Sequence, residues 1–238
     1  MFTGIVEGQA VVEAILPRGQ AHRLVLDLGH LAEDVRVGDS VAIDGACLTA
    51  VNIQGGRVDF DVIRETVERT AFLTLRVKDK VNIERPMRAD GRFHGHVVAG
   101  HVDGTGRLVE RRAEPGQTKL VFEVAPRLTQ LMIEKGSIAI DGVSLTLVDV
   151  GPTTFSVCLI PHTLEVTTLG QKGVGGLVNI EVDQLGKWVR RPLGAYLPPE
   201  ARPAVAEPPP VAARIIAPGA ALSLALEDLR RSGHLGDT

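Results

Sequence analysis

The chain has 238 residues, of which 44% are hydrophobic and 23% are charged. With 26 Lys and Arg against 29 Asp and Glu, the net charge is −3 and no basic block is available to neutralise a phosphate backbone, so we expect no nucleic-acid partner. No apolar run approaches the roughly 18 residues that span a bilayer, and the chain start lacks the pattern of a signal peptide. We therefore expect a soluble, cytoplasmic protein that does not contact a membrane.

The first part of the chain is typical of short strands separated by glycine, proline and aspartate. Two of its runs, 23–28 and 57–62, alternate polar and apolar residues with a period of two, which indicates strands with one solvent-facing side. Only brief helical turns are predicted, over 31–35 and 64–73. The predicted strands are 4–16, 22–28, 40–53, 57–63 and 80–84.

The second part repeats this order of elements. Between its strands, 126–136 has the pattern of a helix of about two turns that stops at Gly136. About six strands in each part, without room for crossover helices, favour a small antiparallel barrel or sandwich, and a barrel would leave no exposed edge. The predicted strands are 97–109, 119–124, 137–150, 154–160 and 176–182.

One nine-residue stretch occurs twice and shows that the chain is a duplication. The stretch 41–49 reads VAIDGACLT and 138–146 reads IAIDGVSLT, with six of nine positions identical and a spacing of 97 residues. A period of this length suits an autonomous domain better than a solenoid repeat. We predict homologous domains at 1–88 and 89–185, followed by a C-terminal helix and a Pro/Ala-rich extension over 186–238.

The C-terminal part changes character after a predicted helix at 186–193. Pro198, Pro199 and the prolines at 208–210 lie among Ala and Val, which is typical of an extended or disordered segment. Residues 222–231 have helical spacing, and they either dock on a folded surface or form a loose amphipathic end.

Differences between the two copies indicate where their chemistry diverges. Cys47 of the first copy corresponds to Ser144 of the second, and both are small nucleophile types. Neutral drift is the alternative interpretation, and a buried, inert thiol is the ordinary interpretation of Cys47. The Asp-Gly pair just before each of them reads as a tight turn. Because Cys47 and Cys158 are not equivalent positions, we predict no disulfide framework and a reducing compartment.

Three histidines suggest metal binding or acid-base chemistry. His94 and His96 would share one strand face, but no nearby Cys or acid cluster completes a tetrahedral set, so we predict no metal site. His101 occupies the position that Ile5 has in the first copy, and a histidine that replaces an apolar residue beside a pocket is a candidate acid or base. No phosphate-loop or dinucleotide fingerprint occurs, and we expect no cofactor.

Several motifs in a fixed order resemble riboflavin synthases of the α-chain type. They are the start MFTGIV, the paired IDGxxLT motifs, GHV at 100–102, and PHTLE at 161–165 followed by Thr167-Thr168. The resemblance covers 1–192, and the Pro-rich extension departs from the family's common core. It implies an all-β fold of two tandem six-stranded antiparallel Greek-key barrels with a C-terminal helix, and a homotrimer.

The resemblance also implies a transferase that acts without metal or organic cofactor, in the last step of riboflavin biosynthesis. Two molecules of 6,7-dimethyl-8-ribityllumazine would dismutate to riboflavin and 5-amino-6-ribitylaminouracil by transfer of a four-carbon unit. The reacting pair would lie between barrels of neighbouring subunits. Lumazine synthase is a further expected partner.

Two lumazine pockets follow when the family's binding residues are carried onto this sequence. One pocket is expected to contain Gly4, Ile5, Val6, Cys47, Leu48, Thr49, Asp61, Val62, Ile63, Arg64, Glu65 and Thr66. The other is expected to contain Gly100, His101, Val102, Ser144, Leu145, Thr146, Ile160, Pro161, His162, Thr163, Leu164 and Glu165, with Lys135 reaching across from another chain.

The expected catalytic residues are Cys47, His101, Ser144, Asp183 and Ser40. His101 would act as base or proton relay for the lumazine 7-methyl group. Cys47 or Ser144 would assist addition at the neighbouring ring carbon, and Asp183 would orient groups or stabilise charge.

Two other functions compete with this interpretation. A non-catalytic lumazine or flavin carrier of the same fold, like the lumazine proteins of luminous bacteria, would keep the pockets without the full reactive set. The presence of Cys47, His101, Ser144 and Asp183 together favours the enzyme. A barrel that binds oligonucleotides or sugars is disfavoured because aromatic residues, which stack bases, are only 3% of the chain.

Overall fold

The computed structural model describes residues 1–19 and 21–189. Its first part contains six strands: β1 (Gly8–Arg18), β2 (Ala21–Asp27), β3 (Ser40–Ile43), β4 (Ala46–Gln54), β5 (Arg57–Val62) and β6 (Lys80–Glu84). They pair antiparallel and close into a barrel in the order β1-β2-β5-β4-β3-β6. Closure leaves this sheet without a free edge.

The second part is a barrel of the same build. Its strands are β7 (Gly104–Glu114), β8 (Gln117–Val124), β9 (Ser137–Ile140), β10 (Val143–Val150), β11 (Thr154–Leu159) and β12 (Leu177–Val182). They close in the order β10-β11-β8-β7-β12-β9, so each strand has the neighbours of its counterpart in the first barrel. In both barrels the spatial order departs from the chain order, as a Greek key requires. The prediction of two tandem six-stranded antiparallel barrels is confirmed.

Each barrel is filled by the inward side of its strands. In β5 the buried residues Val58, Phe60 and Val62 alternate with more accessible neighbours, as the period of two predicts. In the second barrel the rings of Phe122 and Phe155 stack with centroids 5.4 Å apart. Each such buried side chain contributes roughly 1.5–3 kcal/mol relative to an exposed one.

Short helical turns connect the strands. They are α1 (Arg64–Arg69), α2 (Pro126–Thr129), α3 (Pro161–Val166) and 3₁₀ turns at Gly29–Asp34, Ala71–Thr74 and Thr168–Gly170. The turns predicted at 31–35 and 64–73 are confirmed. The two-turn helix predicted over 126–136 is wrong, because only its first four residues are α-helical and the chain then turns, with Lys135 at φ +65°.

The predicted strand boundaries are wrong in two respects. The runs 40–53 and 137–150 are each two strands, separated by turns in which Asp44 and Asp141 have φ of 42° and 45°; the tight-turn interpretation is confirmed. The strands expected to begin at 4 and 97 begin at Gly8 and Gly104 instead, because the segments before them pair with the opposite barrel.

At the C-terminal end of the described region, residues 184–189 are helical, in agreement with the first part of the helix predicted at 186–193. Residues 190–193, the prolines and the 222–231 segment lie outside the described residues. Within 1–19 and 21–189, no helix has the length and apolarity needed to cross a membrane.

The two barrels meet through their Asp-Gly turns. A Cβ on Gly45 would lie 2.7 Å from the main-chain nitrogen of Gly142, so only glycine permits this approach. Asn82 donates its side-chain amide to the carbonyl of Asp141 at 2.8 Å, and Asn179 donates to the carbonyl of Asp44 at 2.8 Å. This reciprocity gives the pair of barrels an approximate twofold symmetry.

Two buried carboxyl groups lie at this contact. Burial raises the pKa of both Asp44 and Asp141. The Lys172 ammonium lies 3.0 Å from the Asp141 carboxylate and opposes the increase. Lys172 corresponds to Leu75 in the first repeat, so this charge breaks the symmetry.

Candidate active site

The N-terminal segment crosses from the first barrel to the second. The main-chain N–H of Ser144 donates to the carbonyl of Gly4 at 2.7 Å, and Val6 packs against the core of the second barrel. Phe2 pairs in antiparallel fashion with Val98, which lies between the barrels in sequence. The start of the first repeat therefore forms part of the wall beside Ser144.

The start of the second repeat makes the reciprocal crossing. The N–H of Cys47 in β4 donates to the carbonyl of Gly100 at 2.9 Å. A Cβ on Gly100 would lie 2.5 Å from Cys47 Cβ, and one on Gly4 would lie 2.6 Å from Ser144 Cβ. The glycines of the two repeat starts therefore bring backbone directly against the two candidate nucleophiles.

Two buried glutamates fix these crossing segments. The Glu84 carboxylate accepts from the N–H groups of Thr3 and Gly4 at 2.7 and 3.0 Å and from the Thr3 hydroxyl at 2.9 Å. The Glu181 carboxylate accepts from the N–H groups of Ala99, Gly100 and His101 at 2.7, 2.9 and 3.0 Å. Burial raises the pKa of both carboxyls, and the hydrogen bonds from backbone N–H groups oppose that increase.

A cleft of about 380 Å³ opens on the Cys47 side. Its size is within the range of small-molecule sites. Cys47 is half-buried in its wall, and the side chain of His101 is exposed at the crossing segment. The lining residues are Ala46, Cys47, Glu65, Thr66, Arg69, Thr70, Gly100, His101, Val102, Asp103 and Arg127.

The Ser144 side is built from equivalent elements with different side chains. Ile160 and Ile63 precede α3 and α1 at equivalent positions, and both are 58% exposed. Nδ1 of His96 lies 2.7 Å from Ser144 Oγ. Burial lowers the pKa of His96, and the charge of Asp183 opposes part of this decrease. The two sides thus share a backbone frame and differ in reactive groups.

Residues 3–86 and 99–183 each match the lumazine binding domain family. Riboflavin synthases of Actinobacillus pleuropneumoniae and Bacillus subtilis (strain 168) are each 40% identical to the chain over 191 residues, which cover 80% of this chain and 89% of those proteins. Riboflavin synthase of Escherichia coli (strain K12) is 40% identical over 185 residues, which cover 77% of this chain and 87% of that protein. The chain belongs to the riboflavin synthase family.

Solved structures of ligand complexes have the same fold. A crystal structure of LumP complexed with 6,7-dimethyl-8-(1′-D-ribityl)lumazine is 26% identical, with a TM-score of 0.69 over 76% of this chain and 99% of that chain. LumP complexed with riboflavin is 24% identical, with a TM-score of 0.72 over the same shares, and it shows the fold alone.

The structure places some of the residues predicted from the family resemblance in the other pocket from the one expected. Gly4 and Val6 were expected with Cys47, but Gly4 contacts Ser144 and Val6 contacts the second barrel's core. Gly100 was expected with Ser144, but it contacts Cys47. This grouping is wrong because the repeat starts are exchanged between barrels, which sequence order cannot reveal.

The other binding candidates remain near their expected barrels. Cys47, Leu48 and Thr49 are on β4, and the run from Asp61 to Thr66 connects β5 to α1. The Asp61 carboxylate is already paired with Arg23 at 2.8 Å, and this pairing lowers the pKa of Asp61. Ser144, Leu145 and Thr146 are on β10, and Ile160, Pro161, His162, Thr163, Leu164 and Glu165 form the start and body of α3.

The remaining candidates are Lys135, Ser40 and Asp183. Lys135 is exposed and has the left-handed backbone that Gly38 has at the equivalent position of the first repeat. Ser40 pairs with Thr49 across β3 and β4. The Asp183 carboxylate accepts from the N–H of Leu185 at 3.0 Å, just after β12.

His96 is not among the site residues predicted from the sequence, which suggested it only as a metal ligand. Arg69 and Arg127, which line the cleft of Cys47, were not predicted either. His96 belongs to the same His-Gly-His run as His94, but its contact with Ser144 depends on the pairing of the N-terminal segment with the linker. Among the described residues, no group of three or more His, Cys, Asp and Glu is arranged to hold a metal.

Proposed function

We propose that the chain catalyses the dismutation of two 6,7-dimethyl-8-ribityllumazine molecules to riboflavin and 5-amino-6-ribitylaminouracil. The observation that supports this proposal is the reciprocal exchange of Gly4 and Gly100. It creates two sites with one backbone frame, one beside Ser144 and one beside Cys47. A reaction that uses two copies of one compound, one as donor and one as acceptor of four carbons, requires sites alike in shape and unlike in chemistry.

Binding follows the regrouped residues. The first pocket consists of Cys47 to Thr49, Asp61 to Thr66 and Gly100 to Val102, and the second of Ser144 to Thr146, Ile160 to Glu165 and Gly4 to Val6. Backbone groups of β4 and β10 would bind the edge of the pteridine ring, and the polar groups before α1 and α3 would bind the ribityl hydroxyls. Holding the two rings in a fixed orientation can lower the activation barrier by up to roughly 7–11 kcal/mol.

The chemical roles are divided between the pockets. His101, exposed beside the Cys47 cleft, removes the acidic proton of the lumazine 7-methyl group. Cys47 and Ser144 assist addition at the neighbouring ring carbon, and Asp183 and Ser40 orient groups or stabilise charge. No metal or organic cofactor takes part in this scheme.

The proposed assembly is a homotrimer in which the two pockets of a reacting pair belong to neighbouring subunits. Lys135 reaches across from a neighbouring chain, and its exposed position is compatible with that contact. The exposure of Ile133, Leu185 and Trp188, at 73%, 67% and 71%, supports a partner subunit at this end of the second barrel. We also propose that lumazine synthase is a partner of this chain and that the protein is cytoplasmic. The free thiols of Cys47 and Cys158 fit a reducing compartment.

The proposed domain division is 1–88 and 89–185 for the two lumazine-binding units and 186–238 for the helix and extension. A purified fragment ending at residue 192 tests whether the extension is needed. It should retain turnover and trimer mass if the active site is confined to the two barrels and the adjacent helix.

The function is tested by incubating the purified chain with 6,7-dimethyl-8-ribityllumazine, without added cofactor or metal. Riboflavin is followed by absorbance, and the pyrimidine product by chromatography. Conversion supports the enzyme. Tight binding without conversion would favour the carrier function. A chain that neither binds nor converts the lumazine would refute both functions.

A further inference from the structure

Arg127 reaches from the second barrel into the cleft beside Cys47. It is the second residue of α2, which follows β8 of the second barrel, whereas Cys47 lies on β4 of the first. Both residues line the same cleft of about 380 Å³. Because Arg127 is half-buried there, the second barrel contributes a fixed cation to the pocket of Cys47.

The chain around α2 fixes the position of this guanidinium. Leu128, the next residue, is 1% exposed in the core of the second barrel. Nη2 of Arg127 donates to the carbonyl of Asp103 at 2.9 Å. A Cβ on Gly104 would lie 2.9 Å from the same nitrogen, so the glycine leaves the room that the guanidinium occupies. The side chain is therefore held against the crossing segment that carries His101.

No carboxylate neutralises Arg127 in the part of the chain that the structure describes. The other charged side chains of the cleft have partners of opposite charge. Nε of Arg69 lies 3.0 Å from the Glu65 carboxylate, and Nζ of Lys187 lies 2.8 Å from the Asp103 carboxylate. A guanidinium carries five N–H donors, and within residues 1–19 and 21–189 Arg127 makes a single hydrogen bond, to a main-chain carbonyl. The cleft therefore has an unpaired positive charge with free donors in its wall.

The first repeat has a histidine where the second has Arg127. At the spacing of 97 residues Arg127 corresponds to His30, and the equivalent leucines Leu31 and Leu128, both buried, support this register. His30 is exposed in the 3₁₀ turn before β3. A guanidinium stays charged at any pH at which the protein is folded, whereas an imidazole is mostly neutral at pH 7. Arg127 is therefore one of the differences between two sites that share a backbone frame.

We propose that Arg127 stabilises the lumazine anion that forms in the pocket of Cys47. The inference rests on the proposed function for its substrate and for the role of His101. When His101 removes a proton from the 7-methyl group, the C–H bond breaks, the proton binds to the imidazole, and the electron pair of that bond delocalises into the pteridine ring. The guanidinium is in place before this negative charge develops, and a preorganised charge of this kind lowers the barrier. Arg127 thus acts on the rate of proton removal more than on binding of the neutral lumazine.

The test compares Arg127→Gln, which removes the charge, with Arg127→Lys, which keeps it. Arg107→Gln is the matched control, because Arg107 is an exposed arginine of the same barrel that also donates to a main-chain carbonyl, that of Gly175, at 2.8 Å. Arg127→Gln should lose about 100-fold in kcat with little change in KM, as removal of a group that acts on the transition state predicts. Arg127→Lys should recover a large part of that loss, and Arg107→Gln should match wild type.

Exchange of the 7-methyl protons measures the proposed step apart from the rest of the reaction. The chain is mixed with 6,7-dimethyl-8-ribityllumazine in D₂O, and loss of the 7-methyl signal is followed by proton NMR, with the rate in buffer alone subtracted. The protein-dependent exchange rate should fall about 100-fold in Arg127→Gln and stay at the wild-type value in Arg107→Gln. Urea unfolding checks that the variants keep the fold. If Arg127→Gln does not fold, Arg127→Met, which keeps the apolar stem, takes its place.

The two readouts distinguish failure of this inference from failure of the proposed function. A wild-type chain that exchanges the 7-methyl protons but makes no riboflavin would refute the dismutation, and the exchange rates of the variants would still decide the role of Arg127. Exchange at the wild-type rate in Arg127→Gln would overturn the inference even if that variant makes riboflavin slowly. An equal loss in Arg127→Gln and Arg127→Lys would also overturn it, because the positive charge would then not be the cause. A wild-type chain that neither exchanges nor converts the lumazine would refute both.

Discussion

Gly100→Ala is the substitution that most sharply tests the exchanged backbone. The residue has φ +81°, and a new Cβ would lie 2.5 Å from Cys47 Cβ and 3.0 Å from its main-chain nitrogen. Left-handed backbone costs an L-residue roughly 1–2 kcal/mol. Displacing the segment also breaks the bond between the Cys47 N–H and the Gly100 carbonyl, which leaves buried groups unpaired at about 1–3 kcal/mol. The expected loss in unfolding free energy is about 2–5 kcal/mol.

Gly116→Ala is the matched control. Gly116 lies between β7 and β8 with φ +77°, and a Cβ there would meet nothing within 4 Å. It therefore carries the conformational cost of roughly 1–2 kcal/mol without the collision. Urea unfolding, with the slope m checked for constancy, gives both values. Turnover should be lost in Gly100→Ala and kept in Gly116→Ala, and equal stability and activity in the two variants would refute the close approach.

Two further substitutions test the buried charge and the reactive groups. Lys172→Met should lower the unfolding free energy at pH 7 by about 3–5 kcal/mol because it leaves buried carboxyls uncompensated. Burial raises the pKa of both carboxyls in the fold, so they become protonated and neutral as pH falls, and the deficit should be smaller near pH 4 than at pH 7. An equal deficit at both pH values would contradict this origin. Cys47→Ala and His101→Ala should each depress turnover while folding and lumazine binding, followed by circular dichroism and fluorescence titration, remain largely intact. Loss of binding with unchanged turnover per occupied site would count against those roles.

The sequence predicted the tandem architecture well because the relevant signals are local. The IDG turns require a short side chain that hydrogen-bonds backbone followed by a residue free to take positive φ, and both copies retain that pair. Period-two burial along 57–62 likewise follows from strand geometry alone. Such features can be read without knowing which barrel a segment joins.

The pairing of segments into pockets could not be predicted in this way. Gly4 and Gly100 precede their own barrels in the chain, yet each lies against the opposite barrel. Glu84 and Glu181 fix this exchange from the last strand of each barrel, about 80 residues away from their partners, a separation that no local pattern encodes. His96 was missed for the same reason, since its contact with Ser144 exists only after the exchange.

We propose that one chain provides two unlike sites for one substrate. The most direct test is the stoichiometry of a reaction with 6,7-dimethyl-8-ribityllumazine alone, quantified by chromatography of substrate and both products. We expect two lumazine molecules to disappear for each riboflavin and each pyrimidine formed. Riboflavin without an equal amount of pyrimidine, or lumazine bound and left unchanged, would contradict it.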